Sequence, residues 1–215
     1  IAKGVTPLWS VIFAACTVVA YIGLFFVCNF KVLSPGANDN LTGVFVAVSA
    51  LKCLKESGIR YENTEVCALL TGSEEAGLRG ATAFTKRHKG ENKDVETYII
   101  AFDTMRDYDY MTIYHRDMTG MVKNSPEVVA LLDEACNDPD VNHPLPHGVV
   151  PFGASDAAAF SRGGFKAAAV AGQNPKYAPY YHNRRDTPDQ MIPETFALGL
   201  DIALAAIEAF DRDQK

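Results

Sequence analysis

The sequence predicts an α/β domain of three layers, helices on both faces of a mostly parallel, mixed central sheet, preceded by a transmembrane helix. Three observations carry this. From residue 34 onward, apolar runs of strand length alternate with stretches of helical periodicity, the pattern of strand–helix–strand units. Between Lys3 and Lys31 there is no charged residue. The whole chain has 215 residues, enough for one sizeable core. It divides into a membrane segment with flanks, 1–33, and a globular domain, 34–215.

The first region is apolar on all faces over 8–30, about the length needed to cross a ~30 Å hydrocarbon layer as a helix. Trp9 stands near one end and Phe25, Phe26 and Phe30 near the other, where interfacial aromatics collect. A signal peptide would have a shorter apolar core and a small-residue cleavage site, and Val27-Cys28-Asn29-Phe30 is a poor one. The polar cluster at 34–40 is a turn. Leu41, Val44, Phe45, Val48, Leu51 and Leu54 then share a stripe at helical spacing, with Asp39 or Asn40 placed to cap it and Gly58 to end it. A buried strand follows at 65–71, a helix at 78–87 and strands at 95–102 and 108–115. Ser125 caps a helix that has Pro126 in its first position and runs to about Cys136. After a loop at 137–146 come a short helix at 157–162, a buried strand at 165–171, a long loop at 172–188 and an amphipathic helix at 194–210.

A net charge of −6 and the lack of a basic stripe with interleaved aromatics argue against a nucleic-acid partner. The five cysteines form no CxxC pair, so neither a thiolate zinc site nor a disulfide framework is indicated; Cys53 and Cys67 fall on core-like positions.

The chemistry collects at strand ends, where open α/β sheets bind ligands. Thr71-Gly72-Ser73-Glu74-Glu75-Ala76-Gly77-Leu78 places two adjacent carboxylates on a glycine-flanked turn, which is costly unless a cation sits beside them. Asp39 precedes the first helix of the domain, Asp103 follows the 95–102 strand, and His182 lies in the loop after the 165–171 strand. Each residue alone reads equally well as a cap or a solvated loop group. Together, three carboxylates, one imidazole and a spare glutamate suit one or two Zn²⁺ ions with open positions.

Four segments carry a family resemblance: residues 35–43 (Pro-Gly-Ala-Asn-Asp-Asn-Leu-Thr-Gly), 72–80 (Gly-Ser-Glu-Glu-Ala-Gly-Leu-Arg-Gly), Phe102-Asp103, and 181–187 (Tyr-His-Asn-Arg-Arg-Asp-Thr). They resemble the zinc aminopeptidase family that also includes glutamate carboxypeptidases and glutaminyl cyclases. The resemblance covers residue 34 to the C-terminus and implies a zinc-exopeptidase fold and a two-zinc site. It implies that Asp39 bridges the metals, that Glu75 and Asp103 each bind one, that His182 completes one sphere, and that Glu74 is the base that deprotonates the bridging water. Asp186 orients His182 or a nearby turn in this reading, with a cap for the turn at Thr187-Pro188 as the alternative. The stretch Phe152-Gly153-Ala154-Ser155-Asp156 resembles a pocket loop, which makes Phe152 and Asp156 candidates for the substrate pocket. Tyr180 and Tyr181 are candidate walls, with ordinary packing as the alternative and the preferred reading for Tyr181.

Two departures from the family pattern stand out. The family uses one more histidine, on a strand before the Asp39 loop, and no histidine precedes His88 here. Asp107 or Asp109 could also compete with Asp103. The expectation is therefore a membrane-anchored zinc exopeptidase, an aminopeptidase acting on small peptides or exposed chain ends, with the bilayer as partner through residues 8–30. The complete enzyme would hold two zinc ions, and this chain would bind one more readily than two. The missing histidine is expected upstream of Ile1, before at least one further span. A glutaminyl cyclase-like acyltransferase and a non-catalytic membrane scaffold that keeps the fold are the alternatives.

Overall fold

The computed structural model describes residues 7–27, 33–91 and 94–214, and the chain divides into two units, 1–34 and 35–215. The first unit holds helix α1 (Leu8–Val27), with Trp9, Phe13, Val19 and Ile22 exposed. Among the described residues no helix is long and apolar enough to cross a membrane. The span expected over 8–30 is thus not found there. Its end at Cys28–Phe30 and the side chains of Phe25 and Phe26 lie outside what is described.

The second unit is the three-layer α/β domain. Its strands are β1 (Tyr98–Met105), β2 (Met111–Asp117), β3 (Val122–Lys123), β4 (His147–Val149) and β5 (Lys166–Gly172). The sheet order is β1-β5-β2-β3, with β4 also pairing β2. β1 and β5 are parallel, β2 runs antiparallel to β5 and β3 and parallel to β4, so the sheet is mixed, as expected, but not mostly parallel: two of these four pairings are antiparallel. The helices are α2 (Thr42–Ser57), α3 (Arg79–His88), α4 (Pro126–Cys136), α5 (Asp156–Gly163) and α6 (Pro193–Asp213).

Alternation along the strands separates the two faces. Ile100, Phe102, Ala168 and Val170 pack with α2, α4 and α6 through Val46, Leu132, Leu198 and Ile202. Ile99, Ala101, Ala167 and Ala169 pack with α3 and α5 through Ala81, Phe84, Ala158 and Phe160. Ser125 caps α4 by accepting from Val128 N, with Pro126 at the start of the helix.

Several elements differ from expectation. Residues 65–71 form no strand, and Leu69 and Leu70 are exposed. A strand needs a neighbour to satisfy its backbone, and none of the described strands pairs with this run. Cys67, expected on a core-like position, is exposed there too. The 95–102 strand is shifted to Tyr98–Met105, so Asp103 lies within it; the register breaks between Asp103 and Met105, where Thr104 has φ 45°. The 108–115 strand begins later, after a short 3-10 turn at Tyr108–Tyr110. In α2 the buried face is Thr42, Gly43, Val46, Ala50 and Leu54, while Leu41, Phe45 and Val48 of the expected stripe are exposed. The small face goes inward because β1 comes too close for anything larger: a Cβ on Gly43 would lie 2.1 Å from the Phe102 carbonyl oxygen.

Candidate active site

Three chain segments meet at the carboxyl end of β1. The first is the turn Ala37–Leu41 leading into α2. The Asn40 side chain fixes it to β1: Nδ2 donates to Phe102 O (2.8 Å), and Oδ1 accepts from Thr104 N (3.2 Å) and Gly43 N (3.0 Å). Thr42 Oγ1 donates to Asn38 O (2.7 Å) and accepts from Met105 N (3.0 Å). Asp39 is thereby seated next to Asp103. Of the two expected caps, Asn40 is the one that reaches the first turn of α2.

The second segment is the Glu74–Glu75 turn. Glu74 O accepts from Gly77 N (2.9 Å) and Leu78 N (2.7 Å), and Ser73 O accepts from Arg79 N (3.1 Å). Gly77 has φ 94°, a conformation a side chain rarely adopts. The third is the loop after β5. It turns at Tyr181 N to Ala178 O (3.1 Å) and Asp186 N to Asn183 O (3.1 Å), and presents His182 with its ring stacked on Tyr181, centroids 3.8 Å apart.

At the junction His182 Nε2 is 3.2 Å from Asp39 Oδ2 and 3.2 Å from Glu75 Oε1. One ligand atom from each of Asp39, Glu75 and His182 falls within 4.8 Å of the others, a separation that one cation can bridge with little adjustment. The electrostatics point the same way. Burial, then the charges of Asp103, Glu75 and Glu74, pushes Asp39 up to about 8. Burial, then Asp103 and Asp156, pushes Glu74 up to about 8. Burial raises Asp103 to about 6 against the hydrogen bond from Thr104, which lowers it. Carboxylates crowded so that they resist ionising are relieved by a divalent cation, and a carboxylate–imidazole set suits zinc.

These residues line one cleft of about 710 Å³, with Asp39, Glu74, Glu75, Asp103 and His182 on its wall. Three of the four expected ligands converge; Asp103 lies beside them in the cleft but outside that cluster. Neither rival joins it. Asp107 is buried and accepts from Arg106, Asn174 N (2.8 Å) and Tyr180 Oη (3.3 Å), while Asp109 is exposed in the 3-10 turn.

The expected pocket residues need correction. Tyr180 is 0% exposed and belongs to the Asp107 network, so it walls nothing; Tyr181 lines the cleft instead. Phe152 is 86% exposed, and its neighbours Gly153 and Ala154 line the cleft in its place. Asp156 opens α5 and accepts from Thr71 Oγ1. Asp186 holds neither His182 nor the Thr187-Pro188 turn. Its Oδ1 accepts from Asn38 N (2.8 Å) and Asn38 Nδ2 (2.7 Å), and its Oδ2 from Asp39 N (3.0 Å). It ties the histidine loop to the Asp39 turn. Sequence reasoning missed Asn38, Asn40, Thr42 and Thr71 as the frame of the site; the only signal was the dense polar run around Asp39.

The fold matches solved structures of aminopeptidases and of a glutaminyl cyclase. An aminopeptidase from Aneurinibacillus sp. strain AM-1 superposes with a TM-score of 0.66 at 25% identity, over 81% of this chain and 39% of that one. The zinc aminopeptidase of Bacillus subtilis gives 0.67 at 22%, over 81% and 42%. A glutaminyl cyclase from an Acidobacteriales bacterium gives 0.60 at 16%, over 83% and 63%. The chain thus spans less than half of either aminopeptidase. The model of peptidase family M28 matches residues 22–207, taking in every residue of the cleft's acidic and histidine cluster. Over that length, and with that fold, the chain belongs to peptidase family M28.

Proposed function

We propose that this chain carries the catalytic machinery of a zinc-dependent exopeptidase, most simply an aminopeptidase acting on short peptides. The convergence of Asp39, Glu75 and His182 beside an unligated Glu74 carries the reading. Asp39, Glu75 and His182 would hold one zinc ion, and Asp39 with Asp103 would contribute to a second in the complete enzyme. Zinc when bound polarises a peptide carbonyl and makes a water acidic enough to attack near neutral pH.

The remaining work falls to the chain. Glu74, which lines the cleft beside Glu75, is placed to exchange protons with a water held there. It accepts the proton of the attacking water and returns it to the departing amine nitrogen. His182 is held by its turn and by the Tyr181 ring, and Asp186 fixes the distance between its loop and Asp39.

Family membership and the fold support the peptidase reading over a scaffold, and so does the retained Glu74–Glu75 pair. We further propose that residues 8–30 meet a lipid surface, supported by their lack of charge and by the exposed apolar side chains of α1. Two measurements test this. Zinc titration should show at least one ion bound per chain, lost on His182→Ala, and release of amino-terminal residues from tripeptides should depend on zinc and on Glu74. A chain that binds no zinc overturns the reading. For the lipid contact, the chain should float with phosphatidylcholine vesicles, and one lacking residues 8–30 should not.

A further inference from the structure

The cleft is electrically two-ended. Of its lining residues, Glu74 and Glu75 precede the start of α3, with Asp39 and Asp103 in the same acidic group, whereas Lys86 and Lys89 lie at the C-terminal end of α3, where Gly163 brings Arg162. The basic end is assembled by close packing of α3 against α5. A Cβ on Gly163 would lie 2.6 Å from Thr85 Cβ, so only glycine lets α5 approach α3 this closely. That approach sets Arg162, the residue before it, beside the helix end bearing Lys86 and Lys89. Thr82 and Thr85 continue the wall between the two ends.

None of the three cations has an acidic partner among the described residues. Of the acids that follow α3, Glu91 is taken by His88 and Glu96 by Lys166, and among the described residues Arg162 reaches the Met118 sulfur, at 3.7 Å. Basic residues in a last helical turn also suit the helix dipole. That accounts equally for Arg87, which does not line the cleft, but not for the gathering of Lys86, Lys89 and Arg162 along it. In a chain of net charge −6, three unpaired cations in the cleft of an acidic site call for an anionic ligand.

We propose that Lys86, Lys89 and Arg162 form a subsite for the carboxylate at the far end of a short peptide whose scissile bond lies at the acidic end. The proposal rests on the peptidase reading and adds substrate class to it. Lys86 is seven residues beyond Arg79, the start of α3, a rise of about 10 Å. Extended peptide covers that distance in about three residues. The subsite therefore selects tri- and tetrapeptides with a free C-terminus over longer or amidated chains. Because the cations are exposed, the attraction is screened by salt.

The test uses the zinc-loaded full chain and trialanine whose first peptide bond is a reduced amide, so that binding is read without cleavage. Calorimetry compares its free acid, its C-terminal amide, and an amide with glutamate in the third position. At low salt the free acid should bind about 10-fold tighter than the amide, as three modest surface ion pairs permit. The preference should fall with added salt. In Lys86→Ala/Lys89→Ala/Arg162→Ala the acid should weaken to the level of the amide, with amide affinity and melting temperature unchanged. A glutamate amide that binds as well as the free acid shows that a side-chain carboxylate serves too. Equal binding of acid and amide, or no binding of either at millimolar concentration, overturns the subsite. So does a preference that survives the triple substitution, since the carboxylate would then sit on the metal. Cleavage of ordinary trialanine is measured in parallel. Preference without any bound zinc defeats the peptidase reading alone; cleavage without preference defeats the subsite alone.

Discussion

Replacing Asp186 by alanine should cripple both stability and metal binding, although Asp186 is not in the ligand cluster. Its carboxylate is fully buried and accepts from Asn38 N, Asn38 Nδ2 and Asp39 N at 2.8, 2.7 and 3.0 Å. Each hydrogen bond to a charged acceptor contributes about 1.5–3 kcal/mol, and each stranded buried donor costs about 1–3 kcal/mol. The three share one acceptor group and do not add fully, so the loss should be about 3–6 kcal/mol. For a domain of this size that is a fall in melting temperature of roughly 6–24 °C. Asp186→Asn keeps the volume and one acceptor oxygen, and should lose about half as much. Zinc affinity should drop about 10–100-fold in the alanine variant, because the tie between the Asp39 turn and the His182 loop is gone. Guanidinium unfolding of the zinc-free protein and competition with a chromophoric chelator read the two effects separately. An alanine variant within 1 kcal/mol of the parent, with unchanged zinc affinity, would refute the claim that Asp186 joins the two loops.

Glu74→Gln should retain zinc and lower peptide hydrolysis by about 10²–10⁴-fold, as loss of a general base does; zinc loss equal to that of Glu75→Gln would reverse the two assignments. The zinc-free chain should lose stability as pH rises from about 4 to about 8. Asp39 and Glu74 hold their protons in the folded state up to about 8, while unfolded carboxylates release theirs near 4. The folded state therefore binds more protons through that window, and stability falls across it. Urea midpoints across that range should show the slope, and Asp39→Asn should flatten it; a difference between parent and variant that stays constant with pH would count against the crowding of the site. Gly43→Ala should cost at least about 3 kcal/mol, since its Cβ would stand 2.1 Å from a backbone oxygen of β1. A chemical-denaturation midpoint near that of the parent would show that α2 can move away from the strand.

Features governed by local pattern were legible in the sequence. α4 begins at Pro126 under a Ser125 cap because both preferences act within one turn of chain. The buried strand β5 reads as such because it is apolar on both faces, as a central strand must be. The Glu74–Glu75 turn, Asp39 and His182 were legible only together, from their shared placement at or after strand ends and from the family resemblance of the segments that hold them. What failed was non-local. α2 is apolar on more than one side, so periodicity could not tell that its small face meets β1. Residues 65–71 are apolar enough for a strand, but pairing depends on a neighbour that local sequence does not name. Tyr180 and Tyr181 are adjacent and chemically alike; only the loop's path puts one beside Asp107 and the other beside His182. Asp186 read as a support for His182 or a cap for the next turn, because no short-range pattern shows that its partners lie 147 and 148 positions away.

That separation has a kinetic consequence. Asn38 and Asp186 close a loop of nearly the whole domain, and ring closure of that length is entropically late compared with helix formation or the pairing of nearby strands. The Asp39 turn leaves the ribosome ahead of β5, with Glu75 close behind, while His182 and the carboxylate that clamps the turn follow only after that strand. During synthesis, then, the nascent chain shows Asp39 and Glu75 before His182 is available. Zinc cannot template the early steps of folding, and its tight capture should mark the end of the process. In a refolding experiment, zinc uptake should lag behind the recovery of helical signal.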